Sequence, residues 1–131
     1  MCLGLAACKG EPRQVEQKFV GTDISAATFG NPLALTDHTG QARQLRDFRG
    51  KVVALFFGYT QCPDVCPTTM SDLVQALKLL GNQRAQVQVL FVTLDPERDT
   101  PQLLAQYVPA FDASFVGLYG AAATTAQVAT D

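Results

Sequence analysis

Tryptophan is absent from this 131-residue chain, methionine occurs twice and histidine once. A single imidazole, His38, excludes every metal or catalytic centre that draws two histidines from this sequence. Charge is scarce as well. Charged residues make up 17% of the chain, and ten Lys plus Arg against twelve Asp plus Glu leave a net charge of -2. That balance gives no bulk attraction to phosphate backbones, so nucleic acid is not an expected partner. No apolar run approaches the roughly 18 residues that a bilayer span requires, and membrane attachment would have to come from the N-terminus. No Lys or Arg follows Arg98. A surface-closing last element carries charge on its outer side, so the domain is expected to be incomplete at its C-terminus. What is present is the makings of a core: 47% hydrophobic residues against ten Gly and seven Pro, in a length that suits one domain.

The four cysteines fall into two groups, Cys2 with Cys8 and Cys62 with Cys66. Leu5-Ala6-Ala7-Cys8 resembles a bacterial lipobox, in which small residues precede a cysteine whose sulfur takes the lipid. Residues 1–8 are therefore read as part of a lipoprotein-type signal, residues 9–20 as a polar linker and residues 21–131 as the domain. This places the domain on the periplasmic side of a bacterial inner membrane, tethered through Cys8. Cys2 receives no role.

Asp37-His38-Thr39-Gly40, between Leu33-Ala34-Leu35 and the stretch Ala42 to Leu45, signals a hairpin. Val52 to Phe57 is a continuous apolar run and reads as a central strand buried on both faces. A loop from Gly58 to Pro67 follows. Met70, Leu73, Val74, Leu77 and Leu80 then recur at helical spacing, with Pro67 at the favoured first position and Gly81 as the stop. Val87 to Leu94 makes a second buried strand, and Thr100-Pro101 caps and opens a second helix carrying Leu103, Leu104, Tyr107 and Val108. Phe115 to Tyr119 gives a further short strand, and Ala121 to Val128 starts an alanine-rich helix. The alternation predicts an α/β fold with parallel central strands and helices on the sheet faces. Without covering strands, the last parallel strand would be an open edge, which predicts marginal stability or self-association.

Cys62-Pro63-Asp64-Val65-Cys66-Pro67 lies where a buried strand hands over to a helix. Unpaired backbone N–H groups at a helix start favour a thiolate, the form that both redox exchange and metal ligation require. Three readings of the pair stand side by side. A stabilising disulfide is one, although so short a loop removes little unfolded-chain entropy. A dithiol/disulfide catalyst of thioredoxin type is another, although CxxC is the usual spacing there. A two-thiolate site for Cu(I), a soft ion that accepts few ligands, is the third. Zinc asks for four ligands, which the pair and His38 do not make up. A peroxide-reducing thiol would need a neighbouring arginine and hydroxyl, and only Thr60 is close in sequence.

These residues carry a resemblance. Together with Gly21-Thr22-Asp23-Ile24, Leu35-Thr36-Asp37-His38-Thr39-Gly40, Gly50-Lys51-Val52-Val53, Asp95-Pro96-Glu97-Arg98-Asp99-Thr100-Pro101 and Phe115-Val116-Gly117-Leu118, the chain resembles the Sco/SenC family of copper chaperones. The resemblance implies a thioredoxin-like fold, an N-terminal β-hairpin, and closing strands and a helix beyond Asp131. It implies copper as the cargo, Cys62 and Cys66 as ligands, and Cu(I) favoured over Cu(II). The implied partners are cytochrome c oxidase subunit II, whose binuclear copper site would be served, or another copper-site protein, and an upstream copper donor or thiol reductant. The same two cysteines would alternatively serve as a thiol-disulfide oxidoreductase. The family's third ligand, a histidine, has no counterpart within these residues. His38 matches the hairpin turn and is read as a solvated turn residue. Asp95 is placed on the rim that carries the Cys62 loop, where it would tune a thiol or meet a partner. One reading makes Glu97, Arg98 and Asp99 exposed charges, and it is favoured for Glu97 and Arg98; Phe57 and Tyr59 are read as packing, with Tyr59 able to line the site. Arg43, Arg46, Arg49 and Lys51 form a basic cluster read as a solvated surface.

Overall fold

The computed structural model describes residues 21, 22 and 33–130; the signal and linker assigned to residues 1–20 lie outside them. Strands β1 (Leu35–Asp37) and β2 (Ala42–Arg43) form the predicted hairpin, with Leu35 opposite Arg43 and Thr36 opposite Ala42. Gly40 closes its turn at φ +87, a conformation open to glycine. A 3-10 turn, Leu45–Phe48, leads to β3 (Val52–Gly58), then helix α1 (Val65–Leu79) and a second 3-10 stretch, Gly81–Gln86. Strand β4 (Val87–Thr93), helix α2 (Pro101–Phe111), strand β5 (Val116–Tyr119) and helix α3 (Ala122–Thr130) complete the order.

The five strands form one sheet in the order β2-β1-β5-β4-β3. β3, β4 and β5 run parallel, in register from Val52 opposite Val87 to Gly58 opposite Thr93, while β1 lies antiparallel to β5. Both parallel crossovers step across the sheet in the same direction, so right-handed connections put α1 and α2 on one face. Met70 and Leu77 of α1 and Leu104 and Val108 of α2 pack there against Val89 and Phe91. Leu90 and Val92 point to the opposite face and meet Leu35, Phe48 and Leu118. Period-two alternation with both faces covered is why β4 reads as an unbroken apolar run.

Three expectations change. The strand after Lys51 is not central: β3 is an edge strand, with Val52 68% and Leu55 42% exposed, and β4 holds the interior. Its apolar run still serves two faces, since Ala54 and Phe56 join one cluster and Val53 and Phe57 the other. Among the described residues the parallel strand at an edge is therefore β3 and not the last parallel strand, because β5 is flanked by β4 and β1. The first helix also starts earlier than Pro67. Asp64 occupies the N-cap and Val65 the first position, so Cys66 stands inside the first turn.

Candidate metal centre

β3 ends at Gly58, and four residues later the chain presents Cys62. A turn closed by the Cys62 amide donating to the Tyr59 carbonyl at 3.2 Å aims the side chain at the start of α1. Asp64 provides no side-chain cap there. The Cys62 sulfur fills that role instead, accepting the Cys66 amide N–H at 3.4 Å. Both thiols are free; Cys62 is partly exposed and Cys66 is buried beneath it. Gly58 makes room for the buried one, because a Cβ at that position would lie 3.1 Å from the Cys66 Sγ and 3.0 Å from the Phe91 ring.

The two thiols are unequal. Hydrogen bonds from the Cys66 thiol, and then from the Cys66 and Asp64 amides and Tyr59, hold the Cys62 proton affinity below that of an ordinary cysteine. Burial pushes the Cys66 thiol up, and its bond to the Cys62 sulfur adds to this. The Tyr59 hydroxyl is raised in turn, chiefly by the Cys62 thiolate beside it. Tyr59 therefore borders the site, as its position allowed, and Phe57 packs in the core. Asp95 meets Arg98 Nε at 2.5 Å, and both line a cleft of about 400 Å³ with Tyr59 and Leu94. Asp95 does reach the rim, with its carboxylate committed to that ion pair.

His38 is not a solvated turn residue. Its Nδ1 accepts the amide N–H of buried Gly117 at 3.0 Å, and its own amide donates to the Gly117 carbonyl at 2.9 Å, which ties the hairpin to β5. Asp99 is not an exposed charge either. It is buried and accepts from Thr60 and Thr93, at the ends of the two strands that frame the site. The motif containing Asp99 was legible as a motif; its burial was not, because it ends a run of charged residues. Thr60 donates its hydroxyl to Asp99, so the hydroxyl that a peroxide-reducing site would need is already used. In the basic cluster, Arg43 is paired with Asp37 at 2.7 Å and Lys51 reaches Gln88 at 3.4 Å; Arg46 and Arg49 are exposed.

The donor set is two sulfurs in mutual contact. Among the described residues no group of three His, Cys, Asp or Glu side chains converges as a metal site. Two soft donors suit Cu(I) and fall short of a tetrahedral zinc set or a tetragonal Cu(II) set.

Comparison with known proteins assigns the chain to a family. The family described as SCO1/SenC matches residues 21–131. The chain belongs to the SCO1/SenC family. The protein SCO2 homolog, mitochondrial, of Bos taurus is 45% identical over 105 residues, covering 79% of this chain and 40% of that protein. The copper-bound structure of Bradyrhizobium japonicum ScoI superposes with a TM-score of 0.71 at 42% identity, over 77% of this chain and 64% of that one. A SCO1/SenC family lipoprotein from Bacillus anthracis gives a TM-score of 0.61 at 25% identity, over 69% and 55% of the two chains. This SCO1/SenC chain spans less than half the length of these curated relatives. Its mixed sheet with flanking helices is the thioredoxin-like fold of the Sco structures.

Proposed function

We propose that Cys62 and Cys66 hold Cu(I) as a two-thiolate site, and that the domain passes the ion to a copper-site protein. The binuclear copper site of cytochrome c oxidase subunit II is the partner proposed, with an upstream donor supplying the ion. One observation carries the reading: two free sulfurs joined by a hydrogen bond at a helix start, the partly exposed one with its proton affinity lowered by that bond and the other buried. The copper-bound state of the similar Bradyrhizobium japonicum ScoI supports it. Anaerobic Cu(I) titration should give one ion per chain, with sulfur neighbours in X-ray absorption. Cys62→Ser and Cys66→Ser should each abolish tight binding, and Cu(II) should bind more weakly than Cu(I). A copper spectrum without sulfur neighbours overturns the assignment.

The inequality of the thiols favours a second reading, a thiol-disulfide oxidoreductase. The Cys62 thiolate would attack a partner disulfide and displace one partner sulfur as thiolate. Cys66 would then lose its proton and attack the Cys62 sulfur of the mixed disulfide, releasing the partner's second sulfur as thiolate and leaving a Cys62–Cys66 disulfide and a fully reduced partner. Disulfide reduction that copper does not inhibit would favour this reading over copper transfer. Tethering through Cys8 on the periplasmic side belongs to the same proposal. Detergent phase partition of the protein from cells, compared with Cys8→Ser, tests it; equal partition sinks the anchor.

A further inference from the structure

Asp99 is 1% exposed and forms no ion pair among the described residues. A carboxylate removed from water is costly unless its lone pairs are used. Here three donors use them. Oδ2 accepts the Thr60 amide at 3.0 Å and the Thr93 hydroxyl at 2.6 Å, and Oδ1 accepts the Thr60 hydroxyl at 2.6 Å. An acceptor-only group with lone pairs to spare is what three converging donors need. The three residues belong to separate parts of the chain. Thr93 ends β4, Thr60 follows β3 by two residues, and Asp99 precedes Thr100, the N-cap of α2. Thr60 is also two residues before Cys62, whose amide bonds back to Tyr59 and whose sulfur accepts from Cys66. The carboxylate therefore grips the loop next to the sulfurs without a hydrogen bond to either.

We propose that Asp99 is a positioning residue: by clasping Thr60 to the end of β4 it fixes how the Cys62 and Cys66 sulfurs face one another. The copper part of the test rests on the function proposed above, and the disulfide part does not. Two quantities read the clasp: the equilibrium constant for closing the Cys62–Cys66 disulfide against dithiothreitol in metal-free protein, and Cu(I) affinity in competition with bicinchoninate. Asp99→Ala should lower both by about tenfold, the size expected for losing charge-assisted hydrogen bonds that order a loop. Asp99→Asn should stay within about threefold of wild type, because its amide oxygen can take two donors and its NH₂ can donate to the Thr60 hydroxyl. Thr100→Ala removes the α2 cap and leaves the clasp intact, so it should lower the melting temperature and neither constant. Wild-type constants in folded Asp99→Ala overturn the proposal. So does an Asp99→Asn loss as large as that of Asp99→Ala, or a Thr100→Ala loss that matches it. Should Asp99→Ala fail to fold, Thr60→Val and Thr93→Val each remove one clasping hydroxyl; unchanged constants in both overturn the proposal equally. Wild-type protein that binds no Cu(I) sinks the copper reading and leaves the clasp to be judged on the disulfide alone.

Discussion

His38 and Asp37 are neighbours in one turn, Asp37 buried and His38 half-buried, and hydrogen bonds hold both side chains. Burial pushes the Asp37 carboxyl up, but bonds from Thr39, Arg43 and Gln41 outweigh it and bring the group from 3.8 down to about 2. A carboxylate whose folded value lies below its unfolded one contributes stability in full above about pH 4, and that stability is lost as the pH falls through about 2. Asp37→Asn should therefore cost about 2 kcal/mol at neutral pH, and its melting curve should converge on wild type between pH 4 and 2. A gap that stays constant across that range would show that the carboxylate charge is not responsible. His38→Ala makes a different point. It leaves the buried Gly117 N–H without its acceptor, and should cost about 1–3 kcal/mol of stability while leaving Cu(I) affinity unchanged. A fall in Cu(I) affinity beyond that of an equally destabilised variant would put the imidazole at the metal. At this scale the reactive pair was legible, because two cysteines at a strand-to-helix junction have few other uses. Asp99 was not, because a buried carboxylate and a surface one look alike when both sit among charges; only the convergence of Thr60 and Thr93 separates them.

The site depends on where one strand stops and one helix starts. Gly58 ends β3 against the Phe56 and Phe91 rings and the Cys66 sulfur, with contacts of 3.0 to 3.1 Å for an added Cβ. Phe91 is fully buried. Gly58→Ala should thus cost about 1–3 kcal/mol by overpacking, and should lower Cu(I) affinity as well, since the added methyl presses on the Cys66 sulfur. Full affinity together with full stability would show that the junction has slack. The elements themselves were largely readable: β4 from its unbroken apolar run, α2 from Thr100-Pro101, the hairpin from Asp37 and Gly40. The start of α1 was misplaced by two residues for a physical reason. Proline is tolerated throughout the first turn, where amides are unpaired in any case, so Pro67 marks that turn without fixing its first residue. The shift matters, because it puts the Cys66 amide within reach of the Cys62 sulfur.

For the whole molecule the controlling feature is strand order. Composition cannot distinguish an edge strand with two apolar faces from a central one, since both bury alternate residues on both sides; the direction of the crossovers decides it. β3 has β4 on one side, and no other strand among the described residues pairs with its opposite side. Val52 and Leu55 of this strand are exposed. A seven-residue parallel strand with one side unpaired among the described residues and with apolar side chains is a template for pairing with another strand, and a charge on it opposes that pairing. The chain should therefore self-associate as its concentration rises, and Leu55→Lys should keep it monomeric in sedimentation velocity over the same range. The long aliphatic stem of lysine can lie along the edge with its charge in water, so the melting temperature should change little. Equal sedimentation of both proteins as monomers at high concentration would overturn the β3 edge as a pairing surface.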